Sequence, residues 1–181
     1  MSNPPTVIQV FLLLLVFTAA ASDIRFRRIP NWLSLAGVLL GIGLNSFLYG
    51  VPGLEMSLKG LGLASLIYLP LYFLRGIGAG DVKLMAAVGA MVGAQNWLVI
   101  FILTSVFGAF AALVVVARRG LVRRTFHNIL LIVKSLSARQ APYLKSPELD
   151  VRSSQGTRLP HAVAIACGSL GFLVAAARAA K

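Results

Sequence analysis

Only five carboxylic acids occur in this chain: Asp23, Glu55, Asp81, Glu148 and Asp150. Two of them stand in distinctive surroundings. Asp23 opens the run Asp23-Ile24-Arg25-Phe26-Arg27-Arg28-Ile29-Pro30-Asn31, and Asp81 closes Gly78-Ala79-Gly80-Asp81 before Val82-Lys83-Leu84. Two facing carboxylates can hydrolyse an amide. Like charges at contact distance cannot both ionise easily, so the pair shares a proton; the ionised member activates water and the protonated member polarises the carbonyl. Such a pair needs neither a covalent nucleophile nor a metal, and no cofactor is expected. His127 and His161 stand alone without ligand spacing, and read as structural or interfacial. Cys167 is the single cysteine, which excludes a disulfide within the chain and a multi-cysteine zinc site, and it reads as a small packing residue.

The elements that must hold these carboxylates are apolar. Of the 181 residues 58% are hydrophobic and 12% charged, with a mean hydropathy of +0.86. Soluble domains carry about 25% charged residues. So few charges cannot cover a water-facing surface, and this excludes a soluble globular enzyme; the apolar content excludes a disordered chain. The composition predicts one all-α, polytopic membrane domain over residues 1–181. A spanning helix needs about 20 largely apolar residues, and six segments are candidates: residues 6–22, 32–49, 56–74, 81–94, 97–117 and 159–177, the fourth short and rich in Gly and Ala. Residues 118–159 form a polar loop. Within it Val122, Phe126, Ile129, Val133 and Leu136 share one helical face and Arg123, His127 and Lys134 lie off it, which predicts a basic amphipathic helix on the membrane surface. Gly37 with Gly41 and Gly89 with Gly93 have the spacing of close-packed membrane helices.

The net charge of +12 invites a nucleic-acid reading. The positions of the basic residues argue for another. With the N-terminus outside, Lys59, Arg178 and Lys181 alone fall on the outer side, and the other basic residues fall inside. That is the positive-inside rule, and nucleic acid is not expected as a partner. No Lys or Arg precedes the first apolar run, so a cleaved signal peptide is not expected either. In this topology Asp23 ends the first span and Asp81 opens the fourth, both at the inner face. Glu148 and Asp150 fall in the polar loop, and Glu55 falls in an outer loop beside Pro52 and Gly53; all three read as solvated.

Position alone leaves two readings of Asp23 and Asp81 open: a functional carboxylate at membrane depth, or an ion pair with Arg25, Arg27, Arg28 or Lys83. The flanking residues favour function. Gly78 and Gly80 permit unusual backbone angles and close approach of another chain. A phosphate loop fits poorly, because no strand precedes the glycines and the spacing of neither dinucleotide nor nucleotide loops is met. Pro30 and Asn31 mark a helix start.

The paired elements Asp-x-Arg-x-x-x-Ile-Pro-Asn and Gly-x-Gly-Asp-x-Lys-Leu resemble those of the type IV prepilin peptidases, membrane aspartic proteases of the Gly-x-Gly-Asp class. On that resemblance Asp23 and Asp81 correspond to the two catalytic aspartates, and Gly78, Gly80 and Lys83 to the motif around the second. Residues 159–166 resemble the family's last helix, where Tyr or Phe is commoner than His161. The large members carry a cytoplasmic insert with two Cys-x-x-Cys pairs, associated with N-methylation. This chain lacks the insert, so methylation is not expected. It looks like the short peptidases of tight-adherence (Flp) pilus systems. The resemblance implies hydrolysis of a short basic leader, after a Gly, from prepilins and pseudopilins at the cytoplasmic face of a bacterial inner membrane. The implied partners are the substrate helix and lipid, and a homo-oligomer is compatible with the sequence.

Other classes fit less well. An ion-coupled transporter would show internal repeats and helices interrupted near mid-membrane. A non-catalytic pilus assembly subunit need not keep both aspartate motifs. A presenilin-like protease would need a Tyr-Asp pair and a Pro-Ala-Leu motif, and neither is present. Within the pair, helix dipoles suggest roles: Asp23 near a helix C-terminus would hold the proton, and Asp81 at a helix N-terminus would be the base.

Overall fold

The computed structural model describes residues 3–120, 130 and 161–179. These form four helices: α1 (Thr6–Phe26), α2 (Asn31–Phe73), α3 (Ala79–Arg118) and α4 (His161–Ala179). All four are long and apolar enough to cross a membrane. The expected amphipathic helix, with Glu148 and Asp150, lies outside the described residues apart from Leu130.

α2 has 43 residues and α3 has 40. At 1.5 Å per residue each would be about 60 Å long if straight, twice the hydrocarbon thickness. Neither is straight. Gly50 (φ 63°, ψ −140°) breaks α2 and Gly93 (φ 75°, ψ 169°) breaks α3. Both angle pairs lie where a Cβ is not tolerated, so glycine is required there. The breaks fold each helix into a hairpin. Asn45 Nδ2 donates to Ser57 Oγ at 3.0 Å, and Trp97 Nε1 donates to the Met85 carbonyl at 3.0 Å. Residues twelve apart on a straight helix would be separated by about 18 Å.

Six helical arms result, near the six expected segments, but their joints differ from expectation. No loop surrounds Glu55. Pro52 and Gly53 lie in the first turn of the second arm of α2, a position that tolerates proline. Glu55 pairs with Lys59 one turn on, at 2.8 Å. A single glycine thus makes the turn for which the sequence allows several polar residues. Gly93 likewise serves as a hinge and also packs closely, as its spacing from Gly89 suggests: a Cβ on it would come 2.6 Å from Met56 Cγ. α1 runs four residues beyond the expected end, so Asp23 lies within its last turn.

α2 packs chiefly on α3, and α4 fills the space between α3 and α1. Small residues make the α2–α3 seam. A Cβ on Gly41 would come 2.8 Å from the Met91 backbone nitrogen, and one on Gly60 would collide with the Gly89 carbonyl. Gly168 of α4 sits as tightly against Thr104. Larger side chains fill the remaining core: Leu12 and Val16 of α1, Met85, Met91 and Trp97 of α3, and Ile165 and Phe172 of α4. Trp97 stacks on Phe101 with centroids 5.4 Å apart, and Tyr68 meets both edge-on. Big apolar groups also face outward, among them Phe47, Leu66, Phe110 and Leu113. A surface of Leu and Phe over a seam of Gly and Ala is the pattern of helices packed in lipid, where close backbone approach replaces a hydrophobic drive. Cys167, expected among the packing residues, is exposed on α4 instead.

Asn45 is fully buried and locks this arrangement. Its Nδ2 lies 3.1 Å from the Ala90 carbonyl and 3.0 Å from that of Met91. In an unbroken helix those carbonyls would accept from residues 94 and 95, beyond the Gly93 break. Asn45 therefore offers its two N–H groups among acceptors that include those the hinge exposes. Asn45→Leu is expected to lower stability by about 1–3 kcal/mol, the cost of leaving buried acceptors unpaired; denaturant unfolding in mixed micelles would read it.

Candidate active site

Asp23 and Asp81 arrive from opposite sides at one end of the bundle. α1 ends just past Asp23, where Arg27 takes a left-handed conformation (φ 52°) and its N–H donates to the Asp23 carbonyl at 2.9 Å. The chain then turns sharply. Ser22 Oγ donates to the Arg28 carbonyl at 2.8 Å, and Pro30 precedes the first residue of α2, Asn31.

Gly78 is the N-cap of α3, which makes Asp81 the third helical residue. The Gly78 backbone N–H donates to the Asp81 carboxylate. This is one half of a capping box, in which the third residue's carboxylate reaches back to the cap's N–H. Asp81 thereby closes its own helix start.

The glycines of the motif act through space, not through rare backbone angles. Gly78 has an ordinary extended conformation (φ −79°, ψ 151°), and Gly80 is absent from the positive-φ residues. A Cβ on Gly78 would crowd the Asp81 carboxylate at 3.3 Å, and one on Gly80 would press on Ile29 at 3.2 Å. The expectation of unusual angles is thus corrected, and what approaches the glycines here is this chain's own Asp81 and Ile29. The two motifs dock on each other here: Ile29 lies against Gly80, and Lys83 Nζ donates to Asn31 Oδ1 at 2.9 Å.

A cavity of about 570 Å³ lies at this junction. Both aspartates line it, with Arg27, Arg28, Pro30 and Asn31 from one side and Gly78 and Gly80 from the other. Among the described residues neither aspartate has a Lys or Arg ion-pair partner. Lys83 is engaged with Asn31, Arg25 lies over the Phe26 ring at 5.4 Å, and the ion pair present is Lys59–Glu55. Nor do three or more potential metal ligands converge among the described residues.

A third element reaches the pair. α4 starts at His161, and the next backbone N–H, of Ala162, donates to Asp23 Oδ2 at 3.3 Å. On sequence His161 reads as a lone histidine, structural or interfacial. Its signal is the Leu159-Pro160-His161 helix start, but nothing local ties that start to Asp23. The contact also removes the basis for giving Asp23 the proton. That assignment requires Asp81 alone to face a helix N-terminus, whereas Asp23 meets the N-terminus of α4.

The described residues are all helical apart from short turns, their four helices are long and apolar enough to cross a membrane, and two carboxylates line one cavity at the end of the bundle. The chain belongs to the type IV leader peptidase family, whose profile matches residues 10–113 and so spans both aspartates. Membership makes it a peptidase, a hydrolase of the membrane. No curated protein and no solved structure matches the chain.

Proposed function

We propose that this protein is an aspartic endopeptidase that removes the short basic leader, after a Gly, from Flp-type prepilins and pseudopilins. The shared cavity carries this reading, because it is lined by Asp23 and Asp81 together. Hydrolysis proceeds as follows. The ionised carboxylate takes a proton from water as the water oxygen bonds to the scissile carbonyl carbon. The other carboxyl gives its proton to the carbonyl oxygen. As the tetrahedral species collapses, the C–N bond breaks, the amine leaves with the proton taken from water, and one hydroxyl of the gem-diol returns its proton to the other carboxylate as the new carbonyl forms, so the aspartates again share one.

All six arms cross the membrane, the N-terminus lies outside, and the aspartate end faces the cytoplasm. Arg25, Arg27, Arg28, Arg75, Lys83, Arg118 and Arg119 near that end support the orientation. A basic leader gains little from such a face, so affinity comes from packing of the pilin helix against the apolar arms. The transporter reading gains no support from the two breaks. Gly50 and Gly93 make hairpin turns away from the carboxylates, whereas transporter breaks form the ion site itself.

The test is co-expression with a Flp-type prepilin, following leader loss by gel shift, beside Asp23→Asn and Asp81→Asn. Processing by the parent and none by either variant is expected. Full processing by either variant would sink the aspartic mechanism.

A further inference from the structure

A short chain of contacts outside the reacting groups joins the segments that carry the two carboxylates. Asp23 lies in the last turn of α1, and the linker that follows is tied back to that turn, where Ser22 Oγ donates to the Arg28 carbonyl at 2.8 Å. Ile29 and Asn31 flank Pro30, and both meet α3. Ile29 lies against Gly80, where an added Cβ would come within 3.2 Å of it. Asn31 Oδ1 accepts from Lys83 Nζ at 2.9 Å. Gly80 and Lys83 are three residues apart and so share one face of α3, whereas residues two apart, such as Asp81 and Lys83, do not face each other. Asp81 and Asn31 line the cavity, and Lys83 does not. The ammonium therefore serves the linker and not the carboxylates.

We propose that Lys83 and Asn31 are positioning residues, a clasp that holds the α1–α2 linker on α3 and thereby sets the separation of Asp23 and Asp81. This rests on the reading of Asp23 and Asp81 as the reacting pair. Lys83 acts through the Asn31 amide. Ile29 on Gly80 supplies the apolar half of the same contact. Both partners of the polar half are exposed. An exposed hydrogen bond adds little to the stability of the bundle. It does bias a local equilibrium between docked and undocked linker, by about fivefold. A pair of carboxylates that must share one proton depends on such control, because a displacement of about 1 Å can lower a rate by about a hundredfold.

Two measurements on the full chain in detergent test this. The first is independent of cleavage. Hydrogen–deuterium exchange is followed in peptides spanning residues 24–34, which include the Arg27 N–H held by the Asp23 carbonyl and the Leu33 N–H held by that of Pro30. Lys83→Met removes the donor. Asn31→Leu removes the acceptor and leaves the charge of Lys83 in place. Each should raise exchange in these peptides by about fivefold, with the second arm of α3 and the melting temperature near those of the parent. The double variant should go no further, since all three lack one and the same bond. Should one single variant fold poorly, the other carries the test.

The second is prepilin cleavage. Each single variant should lower kcat about fivefold with KM within twofold, and the double variant should match them. Lys83→Arg, which keeps a donor, should recover most of the loss. A purely structural role would instead lower the melting temperature and raise exchange throughout the bundle, and that result overturns the proposal. Unchanged linker exchange in both single variants overturns it as well. So do losses that multiply in the double variant, or an effect of Lys83→Met that Asn31→Leu does not share, which would assign the role to the charge of Lys83 alone. Raised, non-additive exchange in a protein that cleaves no prepilin would uphold the clasp and refute the substrate.

Discussion

Asp23→Asn and Asp81→Asn should each lower leader cleavage by about a thousandfold or more, with stability changed by less than about 1 kcal/mol. General acid–base groups contribute about 10²–10⁴ in rate, and here each carboxylate works only through the other. The double variant should therefore be little worse than either single one, since residues that act as a unit are far from additive. Stability separates the chemical role from the structural one. The Asp81 carboxylate accepts from the Gly78 N–H and so caps α3. Asn keeps an acceptor oxygen there and keeps the cap. Asp81→Ala loses it, and should cost about 1 kcal/mol beyond Asn. Asp23 accepts from the Ala162 N–H, a bond that Asn also retains. Thermal melts in detergent run beside the cleavage assay would read both quantities. Cleavage within tenfold of the parent in either Asn variant would contradict a proton-sharing pair.

Gly60→Leu should prevent α2 and α3 from closing on each other. A Cβ at Gly60 meets the Gly89 carbonyl, and a Cβ at Gly89 meets that of Gly60, so the two backbones touch without intervening side chains. Flexible neighbours can yield to an added methyl group; two helix backbones cannot. Overpacking costs about 1–3 kcal/mol where side chains can adjust, and a backbone clash should exceed the upper figure. Gly62 provides the control. It lies on the same arm with nothing within 4 Å of an added Cβ, so Gly62→Leu should leave the fold intact. The expected contrast is a large fall in melting temperature and in monodisperse yield for Gly60→Leu and near-parent behaviour for Gly62→Leu. Equal behaviour of the two would mean that α2 and α3 do not meet at Gly60. Cleavage should fall with the fold in Gly60→Leu, because the arm that carries Asp81 is held by this seam.

Several features are legible in the amino-acid sequence alone. Asp23 and Asp81 stand out because an apolar chain has few carboxylates and these two carry their own motifs. Pro30 and Asn31 read correctly as a helix start. Other features are hidden for identifiable reasons. Gly50 looks like part of a loop with Pro52 and Gly53, because a turn made by one residue leaves no polar run to notice. Gly93 has the spacing of a packing glycine and does pack closely, but spacing gives no sign of the positive φ it also adopts. Asn45 carries no signal at all, since apart from the Gly41 carbonyl its partners lie on the other arm of α2 and on α3.

The sequence by itself determined the solvent, the helical class and the two carboxylates set apart by their own motifs. Those follow from local quantities: the apolar content of a window, the scarcity of charge, and the residues beside each aspartate. The tertiary structure alone decided which backbone amides meet the carboxylates, and that the start of α4 joins them. Such contacts arise between helices far apart in sequence, where the approach distance is set by glycines on other elements. That is why the dipole argument, sound for α1 and α3 taken singly, changes once α4 brings its N-terminus to Asp23.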